Sequence, residues 1–119
     1  MSIALNLIVL YTKDIEALLK FYSAIGLTFV QERHGAGPVH YSCELGGSLV
    51  LEIYPTTAQS NGSSIRLGFT VISLYRRLVE LKKMDIKILK YPKDTAEIQT
   101  VVMLDPDGRV VELTELKAD

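Results

Sequence analysis

The feature that most constrains the fold is an internal repeat. When the chain is shifted by 59 residues, its two halves align without a gap over about 26 positions. Apolar character repeats, rather than identity: Leu10 falls on Phe69, and Leu19 falls on Leu78. A duplicated structural unit would keep its apolar positions in this way, so the repeat predicts two similar halves.

Each half is predicted to begin with a strand and a helix. Residues Leu5 to Tyr11 and Ile65 to Val71 are rich in apolar and branched side chains, which is typical of strands. Asp14 and Ser73 are suitable N-cap residues, because a short side-chain oxygen can accept hydrogen bonds from the first turn of a helix. Gly26 suits the left-handed conformation that ends a helix.

Three further strands are predicted after each helix. Gly46-Gly47 indicates a tight hairpin in the first half, and Asp105-Pro106-Asp107-Gly108 indicates a turn in the second. The polar segment 56–63 is the predicted linker between the halves. We therefore predict βαβββ modules at about 1–55 and 64–119, which together form a single domain of residues 1–119. The predicted strands are Leu27 to Arg33, Val39 to Leu45, Ser48 to Tyr54, Ile86 to Leu89, Ile98 to Leu104 and Arg109 to Leu116.

Strand alternation assigns side chains to the two faces of each sheet. A two-residue turn at Gly46-Gly47 would place Tyr41 opposite Glu52, with Cys43 on the same side. The last hairpin would place Glu112 near Val101. A slip of one residue would invert either assignment. The side chains then predicted to share one surface are Val9, Tyr11, Tyr41, Val50, Tyr54, Val101 and Met103.

Two glutamates interrupt apolar strands at almost equivalent places in the two halves. Glu52 lies between Leu51 and Ile53, and Glu112 lies in a similar apolar run. A charge there is costly unless it reaches water, a cation or a metal. One interpretation is that both residues face solvent on half-exposed strands; the other is that both point into a concave space between the halves.

Composition excludes several functional classes. Thirteen basic and fourteen acidic residues give a formal charge of −1, which argues against a nucleic-acid partner. The apolar stretch Ile3 to Leu10 is too short to span a membrane and lacks the features of a signal peptide. The single cysteine excludes an intrachain disulfide. We therefore expect a soluble, cytoplasmic protein.

Four segments together resemble the vicinal oxygen chelate superfamily, which includes glyoxalase I, bleomycin-resistance proteins and extradiol dioxygenases. The resemblance implies an α+β fold of two paired βαβββ modules, whose curved mixed sheets surround a central cleft, and it implies a homodimer. The segments are LIVLYTKDIEALLKFYSAIGL at 7–27, ELGGSLVLEIYP at 44–55, IRLGFTV at 65–71 and VVMLDPDGRVVEL at 101–113.

The resemblance also identifies four positions where metal-dependent members carry ligands: Leu7, Glu52, Arg66 and Glu112. The two glutamates match, but leucine has no donor atom and arginine carries a permanent charge. We therefore predict no metal cofactor, with a divalent metal as the alternative. Arg66 could instead bridge the two glutamates, bind an anionic ligand, or be a surface residue.

The two histidines do not supply the missing ligands in this interpretation. His34 is expected to be an exposed loop residue. His40 is expected to point toward the helix side or the sheet margin, because it alternates with Tyr41.

Two classes of function follow. The first is a module that binds a small organic molecule in the cleft, as the metal-free bleomycin-resistance-type members do. The second is an enzyme, a glyoxalase-like lyase or isomerase or a dioxygenase, in which Glu52 or Glu112 is the catalytic base or a ligand. The sequence names no substrate. The predicted ligand-binding residues are Arg66, Tyr11, Tyr41, Tyr54, Thr70, Val101 and Met103.

Overall fold

The computed structural model describes residues 4–58, 65–93 and 97–116. Its contacts divide the chain into two compact units, Met1–Ser23 with Leu27–Ser60 and Ala24–Gly26 with Asn61–Asp119. Residues 59–63 of the predicted linker lie outside the described residues.

The first unit contains a mixed four-stranded sheet in the order β1-β4-β3-β2. Strand β1 pairs parallel with β4, and the other pairs are antiparallel. The elements are β1 (Leu7–Thr12), α1 (Ile15–Ala24), β2 (Val30–Glu32), β3 (His40–Leu45), a 3-10 turn (Gly46–Ser48) and β4 (Leu49–Pro55).

The second unit repeats this topology in the order β5-β8-β7-β6, again with a parallel pair between its first and last strands. The predicted α+β fold of two βαβββ modules is therefore confirmed. The elements are β5 (Arg66–Thr70), α2 (Leu74–Lys82), β6 (Ile88–Lys90), β7 (Ile98–Leu104) and β8 (Val110–Leu116).

In each unit the buried apolar side chains of the helix and strands come from one side of the helix and one face of the sheet. Such a pairing hides the apolar stripe of the helix and the apolar face of the strands from water at once. In the first unit the set is Leu10, Leu18, Phe21, Tyr22, Cys43, Leu51 and Ile53; in the second it is Leu74, Leu78, Leu81, Val101, Met103, Val111 and Leu113.

The two helices begin differently. Asp14 is the N-cap of α1, as predicted, because its Oδ1 accepts a hydrogen bond from the amide of Ala17 at 3.0 Å. Ser73 occupies the predicted N-cap position of α2, but its backbone is left-handed (φ 57°, ψ 53°) and its side chain makes no cap bond. Glu115 on β8 replaces it, with Oε1 accepting from the amide of Leu74 at 2.8 Å.

The turn between β7 and β8 is organised by one buried carboxylate. Oδ1 of Asp105 accepts from the amides of Asp107 and Arg109, at 2.9 and 3.0 Å. Its Oδ2 accepts from the Arg109 guanidinium at 3.0 Å. Both side chains of this ion pair are almost inaccessible to solvent, at 0% for Asp105 and 6% for Arg109.

Within the described residues, neither helix is long and apolar enough to cross a membrane; the longer, α1, has 10 residues.

Candidate functional site

The connection between β3 and β4 decides which side chains share a face with Glu52. It has three residues rather than two, and both Gly47 and Ser48 adopt positive φ. The pairing is therefore Ser42 with Glu52 and Cys43 with Leu51. The predicted register was wrong by one residue, so Tyr41 and Cys43 lie on the helix-facing side, away from Glu52.

The same register brings four side chains into a row across the first sheet. Tyr11 pairs with Tyr54, and Glu32 pairs with His40. The ring of His40 stacks on that of Tyr54, with centroids 4.2 Å apart and planes at 7°. Tyr11 completes the row at 6.0 Å from Tyr54. We call these four residues the cross-strand row.

His40 is the buried centre of the row. It is 2% exposed. Because Ser42 pairs with Glu52, His40 shares the Glu52 face and stacks on Tyr54, so the expectation that it points to the helix side or sheet margin is wrong. Its Nδ1 lies 3.2 Å from the carbonyl oxygen of Pro38. Its Nε2 lies 3.6 Å from Glu32 Oε1 and 3.8 Å from Glu52 Oε2, and it has no hydrogen-bond partner within the described structure.

The surroundings of Tyr54 raise the pKa of its hydroxyl. Desolvation raises the pKa of its hydroxyl above the ordinary value of 10.0, and the negative charge of Glu52 raises it further. Glu32 acts in the same direction. The phenol therefore remains a neutral hydrogen-bond donor at physiological pH.

Exposed apolar side chains adjoin Glu52 on the same face. Val9 pairs with Glu52, and Leu7 and Tyr11 flank Val9 on β1. Leu7 is 47% exposed and Tyr11 is 54% exposed, whereas the Glu52 side chain is 19% exposed. The face thus combines an accessible aromatic and aliphatic surface with one partly shielded carboxylate.

In the second unit, Arg66 and Glu112 form an ion pair. The guanidinium donates a hydrogen bond to Glu112 Oε1, although the Arg66 side chain is 61% exposed. Arg66, Gly68 and Thr70 share a face, since Gly68 pairs with Glu112 and Thr70 with Thr114. The predicted contact between Arg66 and Glu112 is therefore present. In the first unit, the histidine His40 faces Glu52.

Two predicted ligand-binding residues are on the wrong face. Glu112 pairs with Val102, so Val101 and Met103 lie opposite Leu113 and Val111. Both are fully buried in the core of the second unit. Together with Tyr41, they are removed from the candidate surface.

The residues at the family's metal positions do not fit a metal ion. Leu7 has no donor atom, and the guanidinium of Arg66 already occupies an oxygen of Glu112. A permanent cation at a ligand position repels a second cation. No catalytic step is therefore assigned to a metal at these positions.

A different group of potential ligands lies in the first unit. Ligand atoms of Glu32, His34 and His40 all lie within 4.8 Å of one another. Sequence reasoning missed this group, because the register error turned His40 away from Glu52. The available signal was Glu32-Arg33-His34 at the end of one strand and His40 at the start of the next.

With fold and geometry established, comparisons with known proteins define the class. A family model described as the Glyoxalase/Bleomycin resistance protein/Dioxygenase superfamily matches residues 4–113. The chain belongs to this superfamily. No curated protein matches the sequence significantly.

Solved structures share the fold at low sequence identity. A glyoxalase/dioxygenase from Nostoc punctiforme has a TM-score of 0.73 and 18% identity, covering 97% of this chain and 92% of that one. The antibiotic-binding protein TnmS3 from Streptomyces sp. CB03234 has a TM-score of 0.70 and 20% identity, covering 98% and 99%. A mutant of the fosfomycin resistance protein FosX from Listeria monocytogenes, complexed with Mn(II) and 1S,2S-dihydroxypropylphosphonic acid, has a TM-score of 0.72 and 14% identity, covering 95% and 92%.

Proposed function

We propose that this protein binds a small organic molecule on the face of the first sheet that carries Leu7, Tyr11 and Glu52. The observation that supports the proposal is the half-exposed Tyr11 ring beside Tyr54, on the face that carries a partly shielded carboxylate. Small-molecule sites combine an apolar lining with a few polar groups that fix orientation. The similarity in fold to TnmS3, an antibiotic-binding protein, supports the proposal.

The charges indicate which ligands suit this surface. Glu32 and Glu52 both raise the pKa of Tyr54 through their negative charge, so the region around that ring is electronegative. Aromatic faces attract cations, and a carboxylate accepts hydrogen bonds from ammonium groups. We therefore infer an aromatic or apolar ligand that bears a basic group.

The test is a matched ligand panel measured by thermal shift and calorimetry, with EDTA present. Each set contains an aromatic amine, its neutral analogue and its carboxylate analogue. The amine should raise the melting temperature most, and the carboxylate least. Equal responses to all three would contradict the charge assignment.

Two pairs of variants locate the surface. Tyr11→Ala should weaken binding of the amine about tenfold, the effect of losing roughly 1.4 kcal/mol of aromatic contact. Tyr91→Ala is the matched control, because Tyr91 is also 54% exposed but lies in the second unit. Glu52→Gln should weaken the amine selectively, whereas Glu44→Gln, at an exposed position on β3, should not. Unchanged affinity in both Tyr11→Ala and Glu52→Gln would refute the proposal.

An enzyme is the second candidate. Its support is the approach of Glu52 Oε2 to within 3.8 Å of His40 Nε2, because carboxylates and imidazoles are common general bases. Glyoxalase activity, assayed with and without added nickel or zinc, tests this candidate. Turnover that is lost in Glu52→Gln would support a role for this residue as base or ligand; turnover that persists would exclude it. Glu112→Gln tests the other predicted carboxylate in the same assay.

Two further properties are proposed from the family resemblance and the composition. We propose a homodimer, which sedimentation equilibrium tests directly; a monomer at high micromolar concentration would contradict it. We propose a cytoplasmic location, in keeping with a buried free thiol at Cys43. Fractionation of the native host tests the location.

A further inference from the structure

We propose that Glu32, His34 and His40 form a binding site for a zinc-type divalent metal ion, with Glu52 supplying a further carboxylate oxygen. The proposal goes beyond the binding of an organic molecule. The site lies within the first unit and shares only Glu52 with the ligand positions of the family's metal-dependent members.

The separations between donor atoms fit such an ion. Nε2 of His40 lies 3.6 Å from Glu32 Oε1 and 3.8 Å from Glu52 Oε2. Ligand atoms placed about 2.1 Å from a tetrahedral zinc ion are about 3.4 Å from one another. These two distances exceed hydrogen-bond lengths and lie close to this value. The ligand atoms of Glu32, His34 and His40 lie within 4.8 Å of one another, so metal binding would draw the wider pairs together by up to about 1.4 Å.

The hydrogen bond on the other side of the His40 ring fixes its orientation. The carbonyl of Pro38 can only accept, so Nδ1 of His40 carries a proton. In the neutral ring, the lone pair of Nε2 therefore points toward two carboxylates. A backbone carbonyl on the distal nitrogen is the usual means by which metal-binding histidines are oriented.

This arrangement of Nε2 and two carboxylates favours a bound cation. A lone pair and two carboxylates repel one another, and His40 Nε2 is a buried atom without a hydrogen-bond partner in the described structure. At 3.6 and 3.8 Å from Nε2, the two carboxylate oxygens leave room for a metal ion beside this atom.

His34 completes the donor set from the loop between β2 and β3. Its ring centroid lies 5.1 Å from that of His40, and the His34 side chain is exposed. The chain has two histidines, and both lie here. Two imidazoles with carboxylates suit zinc, whereas magnesium and calcium prefer oxygen ligands throughout.

The experiment is calorimetric titration of the metal-stripped protein with zinc chloride. We expect one zinc ion per chain, and no comparable binding of magnesium. His34→Ala and Glu32→Gln should each weaken zinc at least tenfold. Glu44→Gln is the control, since this exposed carboxylate lies four residues beyond His40 on β3. Circular dichroism verifies folding, and His34 is a suitable first variant because its side chain is exposed.

Cobalt(II) provides a readout that does not depend on affinity. Substitution with cobalt should give the visible absorption of a four-coordinate site, and His34→Ala should reduce it. Acid should release the metal, because protons compete with it for the imidazoles. Absence of stoichiometric zinc binding, or wild-type zinc affinity in both His34→Ala and Glu32→Gln, would overturn the proposal.

The zinc site and the organic ligand can be tested separately. Tyr11→Ala should bind zinc normally but bind the aromatic amine about tenfold more weakly. His34→Ala should bind zinc at least tenfold more weakly without EDTA, but bind the amine normally in EDTA. Failure of zinc alone would refute only this inference, and failure of the amine alone would refute only the proposed function.

Discussion

Replacing Asp105 by alanine should cause the largest loss of stability among the turn variants. Its carboxylate accepts hydrogen bonds from the backbone amides of Asp107 and Arg109 and from the Arg109 guanidinium. The Asp105 side chain has no exposed surface, so water cannot replace these partners.

The expected loss in the free energy of unfolding can be estimated from these three hydrogen bonds. Two backbone hydrogen bonds contribute about 1 kcal/mol each, and the charge-assisted bond to arginine contributes about 1.5–3 kcal/mol. Asp105→Ala should therefore lower the free energy of unfolding by about 3–5 kcal/mol, which is typical when one partner of a buried ion pair is removed. Asp105→Asn keeps an oxygen acceptor but loses the charge, so we expect a loss of about 1.5–3 kcal/mol.

Urea denaturation followed by circular dichroism measures the effect. Asp107→Ala is the matched control: its Oδ2 also accepts from Arg109 at 3.0 Å, but it is 14% exposed. Removing that bond should cost about 1 kcal/mol. If Asp105→Ala cost no more than Asp107→Ala, the turn would not depend on the buried carboxylate, and the reasoning would be refuted.

The remaining predictions concern the helix termini and Tyr54. Asp14→Ala should lower the free energy of unfolding by about 1 kcal/mol, because it removes the N-cap of α1. The control is an alanine substitution at an exposed position in the middle of the helix. If Asp14→Ala lost less stability than this control, the prediction would be contradicted. Ser73→Gly should stabilise by about 0.5–1 kcal/mol because it relieves a left-handed backbone, and thermal denaturation that shows a decrease would refute it. The pKa of the Tyr54 hydroxyl is higher in the folded than in the unfolded chain, so the unfolded chain loses this proton at lower pH. The free energy of unfolding should therefore fall as pH rises above about 10. Tyr54→Phe should show a shallower alkaline decline, and an identical pH profile would contradict the assignment.

The fold could be predicted from sequence because apolar spacing determines it. The 59-residue repeat identified both modules, and the alternation in β5 correctly separated Leu67 and Phe69 from Arg66 and Thr70. These features depend on which side chains must leave water, and the spacing of apolar residues along the chain records that.

The faces of β3 and β7 could not be predicted, because they depend on the geometry of their turns. Gly46-Gly47 is compatible with either two or three connecting residues, and the structure uses three by placing Ser48 at φ 67°. Left-handed serine is uncommon, so no local signal favoured it. The second hairpin was displaced by the same single residue, which moved Val101 and Met103 into the core.

The short turn at Gly46–Ser48 also influences how members of such a fold can diverge. Deleting one codon there, with the strand ends held in place, would exchange every side chain of β3 between the two faces. A thiol and a phenol would then stand beside Glu52, and the imidazole would turn toward the helix. Loss or gain of one loop residue could thus replace one set of reactive groups with another in a single genetic event, while the scaffold remained unchanged.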